Sequence, residues 1–396
     1  MLKWGVKVGG TVTFYRDTYL DIHLDSLEAN VHFLKCLLPP QTNIMAVVKA
    51  DAYGHGAQVI SLYLQHFGIR HFAVATLEEA LELRRSGIHG DILLLGPVSA
   101  QSLDLVGKHN LTLTIHDLDW LKEMVSVTLE KPIPCHIDLD TGMHRIGLLS
   151  KAQLLEAMDL ITTSQSLRLT GIYSHLATSE EEDETYYTNQ VEAFTNFLSD
   201  VDLTNLTIHI ANSGGTLKPP LAFVNMVRVG LLLHGVAPSR YWNSRLPLQE
   251  TLSLTSHIIQ IKQLPKGEKL SYNGIYTTQE DGEIIATLPI GYADGYDRRI
   301  INGRCYVNGE YGEVVGRVCM DFILVKLPNM VPLHTPVELI GPHISIEEYA
   351  DNIHTNTYHA FCQFSDRLPR RYFYQEKLIA VMNPRMQRKE ETYESH

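Results

Sequence analysis

A lysine at the end of an apolar run is the residue of this sequence best suited to covalent chemistry. Lys49 follows the run 44–48 and precedes a glycine-flanked turn that contains Tyr53 and His55. A lysine that is withdrawn from water has a lowered pKa, and its neutral amine forms an imine with the carbonyl group of a cofactor. A lysine that merely caps a strand at the protein surface has the same spacing. The segment by itself therefore leaves a catalytic lysine and a surface lysine open.

Repeated strand–helix units are predicted to position Lys49. Amphipathic stretches such as 56–67 and 77–85 carry apolar residues at every third or fourth position. Parallel strands joined by helices form an open doubly wound sheet or a closed (β/α)8 barrel, and the number of units favours the barrel, whose active site lies at the C-terminal strand ends. The surplus first strand would lead into the barrel or join another domain. The candidate strands are 19–24, 44–48, 71–75, 92–95, 111–115, 133–139, 169–173, 206–210 and 226–229.

A β-rich region follows the strand–helix units. After Leu246, short runs of β-branched and apolar residues alternate with glycine turns, which is typical of an all-β domain. The runs are 251–260, 282–287, 303–307, 311–318, 322–326 and 335–339. The sequence therefore predicts an α/β plus all-β fold, in which an N-terminal (β/α)8 TIM-like barrel occupies residues 15–247. Residues 248–396, together with residues 1–14, are predicted to form the β-rich C-terminal domain.

The composition predicts a soluble protein with a small-molecule partner. The formal net charge of −12 disfavours binding to nucleic acid. No run approaches the roughly 18 apolar residues of a membrane span, and the N terminus lacks the features of a signal peptide, so we expect a cytoplasmic protein without a membrane partner. The cysteines are scattered and never form a C-x-x-C pair, which indicates neither a disulfide framework nor a metal site.

Further segments extend the pattern around Lys49 in a fixed order along the chain. They are VKADAYGHG (48–56), DTGMHRIG (140–147), SHLA (174–177), ANSGG (211–215), VRVGL (227–231), LSYNG (270–274), LPIGYADGY (288–296) and GRVCMD (316–321). Together they resemble the signature segments of the alanine racemases, which belong to the pyridoxal-phosphate-dependent amino acid racemases. The resemblance covers most of the chain, and the ordered set is far more specific than any one segment.

The resemblance implies a barrel, a β domain and a head-to-tail homodimer in which the β domain of one subunit completes the active site of its partner. It also implies the interconversion of L-alanine and D-alanine by two-base proton transfer on a pyridoxal phosphate imine, which supplies D-alanine for peptidoglycan. Lys49 would act on the α-hydrogen of the D-isomer and Tyr272 on that of the L-isomer, from opposite faces of the planar imine.

The resemblance also implies the residues that hold the cofactor. Arg228 would pair with the pyridine nitrogen, and positive charge at Arg228 and His175 would favour the phenolate of Tyr272, since an ordinary phenol with a pKa of ~10 is a poor base at pH 7. The alternative for Arg228 is a phosphate contact or a surface ion pair, and without the neighbouring segments a core histidine is the better interpretation of His175. The implied cofactor-binding residues are Lys49, Tyr53, His175, Asn212, Ser213, Arg228, Gly230 and Leu231.

The implied substrate site departs from the family pattern at two positions. Asp138 stands where many members have a lysine that is often carbamylated, and its carboxylate would supply a negative group to Arg145 without modification. Asp366, within FSDRLPR (364–370), stands where tyrosine is common, and an acidic group there would enlarge the pocket and make it more polar. The implied substrate-binding residues are Arg145, Tyr292, Met320, Asp321 and Asp366.

Three other functions stay open. A racemase of broader or shifted specificity, acting on serine or basic amino acids, would fit Asp366. A non-catalytic pyridoxal-phosphate-binding protein shares the cofactor lysine, but such proteins lack the β domain and its tyrosine. A decarboxylase on the same two-domain plan uses a cysteine in its second domain, and LSYNG (270–274) does not match that chemistry.

Overall fold

The computed structural model describes residues 15–243 and 245–387. Within this part of the chain, two compact units form: a barrel unit of residues 27–52 and 57–249, and a β unit of residues 15–26, 53–56 and 250–387. The boundary between residues 247 and 248 stays a prediction. Residues 1–14, which are predicted to join the β-rich domain, lie outside the described residues.

Eight parallel strands close into a ring in the barrel unit. Strands are numbered in chain order from β1 (Thr18–His23), and the barrel strands are β2 (Asn43–Val47), β3 (His71–Val74), β4 (Asp91–Leu94), β5 (Leu113–Ile115), β6 (Ile133–Leu139), β7 (Leu167–Ser174), β8 (Thr207–His209) and β9 (Met226–Val229). They pair as β4-β3-β2-β9 and β5-β6-β7-β8. The Leu94 N–H donates to the Thr112 carbonyl oxygen at 2.9 Å, and the Arg228 N–H to that of Ala211 at 2.9 Å, which joins the two groups on both sides. This ring confirms the predicted (β/α)8 barrel.

Amphipathic helices follow most of the barrel strands. One helix begins at a capping box, in which the Thr76 hydroxyl accepts from the Glu79 N–H and the Glu79 carboxylate accepts from the Thr76 N–H. Its apolar side is fully buried at Ala80 and Leu83. The helices are Ala57–His66, Leu77–Arg85, Leu103–Lys108, Leu118–Val125, Lys151–Thr163, Thr185–Leu198 and Arg240–Asn243, and Leu24–Leu37 begins in the β unit. The short 3-10 helices are Ala100–Ser102, Gly215–Leu217 and Leu231–His234.

A ten-stranded sheet forms the centre of the β unit, which confirms its predicted β-rich character. Its strands lie in the order β11-β14-β17-β16-β15-β18-β10-β1-β19-β20, and β12 pairs with β13 in a separate small sheet. The strands are β10 (Leu252–His257), β11 (Gln260–Leu264), β12 (Lys269–Leu270), β13 (Tyr276–Thr277), β14 (Glu283–Leu288), β15 (Arg304–Val307), β16 (Glu310–Val315), β17 (Ile323–Leu327), β18 (Pro336–Ile340), β19 (Arg370–Tyr374) and β20 (Lys377–Met382). The helices are Ile346–Asn352, Thr357–Cys362 and Pro384–Gln387, with 3-10 turns at Tyr272–Gly274 and Tyr292–Asp294.

The surplus first strand joins the β unit. β1 pairs antiparallel with β10 and parallel with β19. Its side chains alternate along the strand, with Thr18, Leu20 and Ile22 buried and the residues between them half-buried. Such alternation suits a sheet with one covered face, whereas the barrel strand β4 is buried on both faces after its first residue.

Two classes of feature are missing from residues 15–243 and 245–387. None of their helices combines the length and the apolar character that a bilayer crossing requires. Nor do these residues bring three or more histidine, cysteine or carboxylate side chains together in a group that could hold a metal ion.

Candidate active site

The C-terminal ends of the barrel strands, here called the barrel mouth, carry most of the predicted site residues. Lys49 follows β2, Arg145 follows β6, His175 follows β7, Ser213 follows β8 and Gly230 follows β9. Because the strands are parallel, these ends lie on one face of the barrel. The fold therefore brings together residues that are up to about 180 positions apart in the sequence.

A strained turn fixes the chain directly after Lys49. Ala50, Asp51 and Ala52 have φ values of 52°, 55° and 52°, in the left-handed region. This conformation costs an L-residue roughly 1–2 kcal/mol. The Glu79 carboxylate accepts from the Ala50 N–H at 2.7 Å, and that of Asp51 accepts from the Ala57 N–H at 2.7 Å. Strain of this kind persists where the surroundings hold it, and it clusters at functional sites.

Arg228 is the buried cation of the barrel mouth. Its Nη1 donates to the Nδ1 atom of His209 at 2.7 Å, and its Nη2 donates to the carbonyl oxygen of Ser174 at 2.7 Å and to the Nδ1 atom of His175 at 3.0 Å. The guanidinium also lies 4.9 Å from the ring centre of Tyr173. Burial lowers the pKa of Arg228, yet an arginine stays protonated in proteins. The site thus holds one fixed positive charge in a defined orientation.

His175 is neutral, which corrects the expectation that it contributes positive charge. Burial, together with the charges of Arg228, Arg145 and Lys49, lowers its pKa to about 3. Its Nδ1 atom accepts from Arg228, so the single proton of the neutral ring sits on Nε2. The positive charge at this end of the barrel therefore comes from Arg228, while His175 offers an N–H donor. The influence of Lys49 on His175 also places the lysine in the same site.

Asp138 is a buried acid beside the two arginines. Its side chain is on β6, and the residue is only 5% exposed. Burial raises its pKa to about 7, although the charges of Arg228 and Arg145 and a hydrogen bond from Tyr173 oppose that rise. Arg145 itself is exposed. A carboxyl that titrates near neutral pH therefore lies in the electrostatic field of the predicted substrate-binding arginine.

Two turns adjoin at the ends of β8 and β9. The Gly230 N–H donates to the Ser213 hydroxyl at 3.3 Å, and the Asn212 side-chain oxygen accepts from the Gly215 N–H at 2.9 Å. Leu231 follows as the first residue of a buried 3-10 helix. At Gly214 an added Cβ would lie 2.6 Å from the Ser179 hydroxyl oxygen, so only glycine lets the turn pack this closely. The turns present small residues and backbone N–H groups, the chemistry that binds an anion.

In the β unit, Tyr272 lies on an exposed turn. It is 61% exposed, and its turn is anchored by Ser271, whose hydroxyl donates to the Arg317 carbonyl oxygen at 2.7 Å. On a second loop the Tyr292 N–H donates to the carbonyl oxygen of Cys319 at 3.0 Å. The 316–321 segment thus contacts both loops.

A close backbone contact at Gly291 fixes the loop of Tyr292. A Cβ at Gly291 would lie 2.3 Å from the carbonyl oxygens of Cys319 and Met320, so this contact requires glycine. The side chains of Tyr292 and Met320 are both exposed. These loops therefore expose the predicted tyrosines and methionine on neighbouring parts of the β unit.

The remaining predicted residues of the β unit have well-defined partners. Asp321 accepts from Arg367 at 2.8 Å, and Asp366 pairs with the Nε atom of Arg385 at 3.0 Å. No local pattern predicts Arg385 as the partner of Asp366. Tyr53 is buried in this unit, with its ring centre 5.9 Å from that of Tyr358, and burial raises the pKa of its phenol.

Sequence reasoning missed two residues that support Arg228. Tyr173 lies under the guanidinium, and its ring stacks on that of His209 with a centroid distance of 4.8 Å and an interplanar angle of 9°. Tyr173 stands at the end of β7, two residues before His175, and this spacing could have grouped the two residues. No local sequence pattern marks His209, because its role is visible only in the folded chain, where it contacts Arg228 on β9.

Comparisons with known proteins agree with this arrangement. Residues 22–238 match the domain family described as alanine racemase, N-terminal domain, and residues 251–372 match the alanine racemase C-terminal domain. The alanine racemase of Halalkalibacterium halodurans is 39% identical over 383 residues, which cover 93% of this chain and 98% of that protein. The alanine racemase of Geobacillus stearothermophilus is 39% identical over 378 residues, with coverage of 93% and 97%.

A solved structure shows the same fold. The crystal structure of alanine racemase from Bacillus anthracis with bound L-Ala-P matches with a TM-score of 0.90 at 35% identity. The match covers 95% of this chain and 100% of that one. The two domain matches, the relatives and the solved structure confirm the resemblance carried by the sequence segments. The chain belongs to the alanine racemase family, whose members are pyridoxal-phosphate-dependent isomerases of amino acids.

Proposed function

We propose that this chain interconverts L-alanine and D-alanine, with Lys49 as one acid–base group and Tyr272 of the partner subunit as the other. The observation that best supports this function is the arrangement of the barrel mouth. There the charge of Lys49 acts on a neutral His175, which accepts a hydrogen bond from the buried Arg228. The related Bacillus anthracis structure, solved with bound L-Ala-P, supports alanine as the substrate.

The donors of the barrel mouth fit pyridoxal phosphate. Lys49 offers an amine to the aldehyde, and the adjoining turns at Ser213 and Gly230 offer small residues to the phosphate. We propose that the Leu231 backbone N–H completes the phosphate site, that Asn212 holds the turn before Ser213, and that Tyr53 is a further cofactor-binding residue. When bound, the cofactor supplies the electron sink that makes the α-hydrogen of an amino acid acidic.

We assign Arg228 to the pyridine nitrogen of the cofactor. Its hydrogen bonds to the described residues engage the Nη atoms, and the Nε–H group remains to meet a ring nitrogen. Because a guanidinium donates and cannot accept a proton, this contact would leave the ring nitrogen unprotonated. A weaker electron sink favours rapid return of the proton, and therefore racemisation over transamination.

Different parts of the structure assist the two proposed acid–base groups, Lys49 and Tyr272. Lys49 is held at a strand end by the strained turn that follows it. For Tyr272 of the partner subunit we propose that the Nε2–H group of His175 donates to the phenolic oxygen, with Arg228 behind that histidine as the source of positive charge. Proton removal on one face and delivery on the other then inverts the α-carbon, and the roles exchange in the reverse direction.

The substrate would be held by its carboxylate. We propose that Arg145 and the backbone of Met320 of the partner subunit bind it, because a guanidinium and an N–H group are its natural donors. Asp138 would orient Arg145 through its negative charge. Tyr292 and Asp321 would line the entrance.

The pocket for the substrate side chain depends on Asp366. Its ion pair with Arg385 compensates its charge, which weakens the case for a basic substrate such as lysine. The group nevertheless leaves a polar wall where a tyrosine ring is common in the family. We therefore propose alanine as the preferred substrate and serine as a second one, and the values of kcat/KM for L-alanine, L-serine and L-lysine test this order.

Racemisation in deuterated water tests the proposed function. Purified protein with pyridoxal phosphate is incubated with L-alanine in ²H₂O. The enantiomers are then separated, and mass spectrometry measures the deuterium content of each. We expect D-alanine that carries one deuterium at the α-carbon, and none from Lys49→Ala protein. Deuterium incorporation without inversion would contradict the two-base assignment, and no incorporation at all would identify a non-catalytic cofactor-binding protein.

We further propose a cytoplasmic homodimer that supplies D-alanine for peptidoglycan. The family resemblance supports both proposals. Light scattering coupled to size-exclusion chromatography tests the dimer. Growth rescue of a bacterial strain that depends on external D-alanine tests whether the protein supplies D-alanine. The Lys49→Ala protein is the control for both experiments, because it should dimerise without rescuing growth.

A further inference from the structure

A chain of buried groups runs from Arg228 through the interior of the barrel. The Nη1 atom of Arg228 lies 2.7 Å from Nδ1 of His209, and Nε2 of His209 lies 2.9 Å from Nδ1 of His136. Arg228, His209 and His136 are all buried, and they sit on β9, β8 and β6. The chain therefore leads away from the barrel mouth, where the substrate would bind.

The guanidinium fixes the tautomer of both histidines. Because Arg228 only donates, Nδ1 of His209 must accept, and the proton of the neutral ring then sits on Nε2. That N–H donates to Nδ1 of His136, which places the proton of His136 on its own Nε2. Burial lowers the pKa of His136 to about 3 and that of His209 well below its usual value, so both rings are neutral. All hydrogen bonds of the chain thus point outward from Arg228.

Close packing holds the two rings in place. At Gly171, which is opposite His136 on β7, an added Cβ would lie 2.8 Å from the Cδ2 and Cε1 atoms of the His136 ring. The ring of Tyr173 stacks on that of His209, and Tyr173 also lies beneath the guanidinium of Arg228. The imidazoles therefore have little room to turn into another arrangement.

The chain ends at a cavity at the opposite end of the barrel. His136 lines this cavity of about 1100 Å³, together with His71, Asp91, Arg168 and residues near the N-terminal ends of the strands. Within it, Nδ1 of His71 lies 3.0 Å from a carboxylate oxygen of Asp91. Since Nδ1 of His136 is occupied by His209, its Nε2–H is the group left to meet the contents of the cavity. The cavity thus gives the outermost donor a polar environment.

We infer that His136 and His209 are positioning residues, which hold the Arg228 guanidinium in one orientation by supplying an unbroken series of acceptors behind it. The inference rests on the proposed function only in that Arg228 then serves the cofactor ring. Without the acceptor at position 136, the buried His209 N–H has no partner, and its other tautomer sets an N–H group against Arg228. Either outcome releases the guanidinium from its fixed position.

Two variants of His136 distinguish the loss of its hydrogen-bond acceptor from a change in the packing around it. His136→Leu removes the acceptor, whereas His136→Asn retains one, because the asparagine side-chain oxygen can take the place of Nδ1. We expect kcat of the leucine variant to fall about tenfold with little change in KM, because the loss of the His209–His136 hydrogen bond releases the Arg228 guanidinium. The asparagine variant should recover most of kcat. Arg168→Gln, on the exposed rim of the same cavity, is the control and should match the wild type.

Two further readouts distinguish positioning from a general structural effect. In the apoenzyme, ¹⁵N shifts of labelled histidine should show His209 and His136 neutral with the proton on Nε2, and the leucine variant should lose this pattern at His209. With pyridoxal phosphate bound, the leucine variant should show a higher ratio of transamination, measured as pyruvate formed from alanine, to racemisation than the wild type. Wild-type His209 with its proton on Nδ1, or an asparagine variant as impaired as the leucine variant, would overturn the inference. Absence of racemase activity in the wild type would instead count against the proposed function. The ¹⁵N shifts would then still test the hydrogen bonds from Arg228 through His209 to His136.

Discussion

Replacing Asp138 by asparagine should stabilise the protein at alkaline pH and weaken substrate binding at the same time. Asp138 is buried, and burial raises its pKa from 3.8 to about 7. A carboxyl with a raised pKa in the folded state favours folding most below its unfolded pKa. That contribution is lost as the pH rises from about 4 to about 7. Asparagine has a similar shape and no charge, so it avoids the loss.

The pKa shift sets an upper limit to this effect. A rise of about 3 units, at ~1.4 kcal/mol per unit, corresponds to about 4 kcal/mol of folding free energy at pH 8. The variant should therefore exceed the wild type in unfolding free energy by up to that amount at pH 8, and by little at pH 4. The same charge orients Arg145, so we expect KM for L-alanine to rise about tenfold in the variant at pH 8, or ~1.4 kcal/mol of binding.

Urea unfolding and steady-state kinetics measure the two effects on the same preparations. Unfolding curves of wild-type, Asp138→Asn and Asp104→Asn protein are recorded from pH 4 to pH 8, with the exposed Asp104 as the matched control. The Asp138 variant alone should gain stability progressively with pH, and KM of the wild type alone should rise as the pH falls below 7. An advantage of the variant that is the same at pH 4 and pH 8 would refute the reasoning, because it could not arise from ionisation.

Three further substitutions test other parts of the site. Tyr272→Phe, on an exposed turn, should reduce racemisation at least 10³-fold while leaving thermal stability unchanged, as measured by chiral chromatography and calorimetry; full activity would remove the phenol from its role. Ser213→Ala removes the hydroxyl that accepts from Gly230 and should weaken binding of pyridoxal phosphate about tenfold in a fluorescence titration, whereas an unchanged Kd would argue against the phosphate site. Asp366→Tyr should lower kcat/KM for L-serine about tenfold relative to L-alanine, because the ring fills the polar pocket; an unaltered ratio would separate position 366 from specificity.

The barrel strands were predictable because each is a short apolar run between turn residues, whereas no predicted run covers β12, β13, β19 or β20 of the β unit. The predicted runs 133–139 and 226–229 coincide with β6 and β9, and the others shift by only a few residues. The position of β1 was not predictable from local pattern, since its partners β10 and β19 lie more than 200 residues further along the chain. Its alternating burial becomes meaningful only once those partners are known.

The site could be predicted in its residue types but not in its electrostatics. The order of the sequence segments identified Lys49, Arg228 and the turns, because each carries a local signature. The charge of His175 depends on its burial beside Arg228, Arg145 and Lys49, which no local pattern records.

The backbone after Lys49 was also beyond sequence reasoning. Ala50 and Ala52 ordinarily avoid the left-handed region, and the contacts of Glu79 and Asp51 that hold the turn appear only in the folded chain. A turn that opposes local preference at such a position agrees with a functional role for the preceding lysine.

Hybrid dimers decide whether an amine and a phenol from two different subunits share one active site. Lys49→Ala and Tyr272→Phe proteins, each inactive alone, are mixed and allowed to exchange subunits. A hybrid dimer then contains one site with both native groups and one site with neither. Since random exchange yields about half hybrids, the mixture should recover about a quarter of the wild-type activity. Recovery that stays at zero while exchange is demonstrated would contradict the shared site, because it would place both groups within one chain.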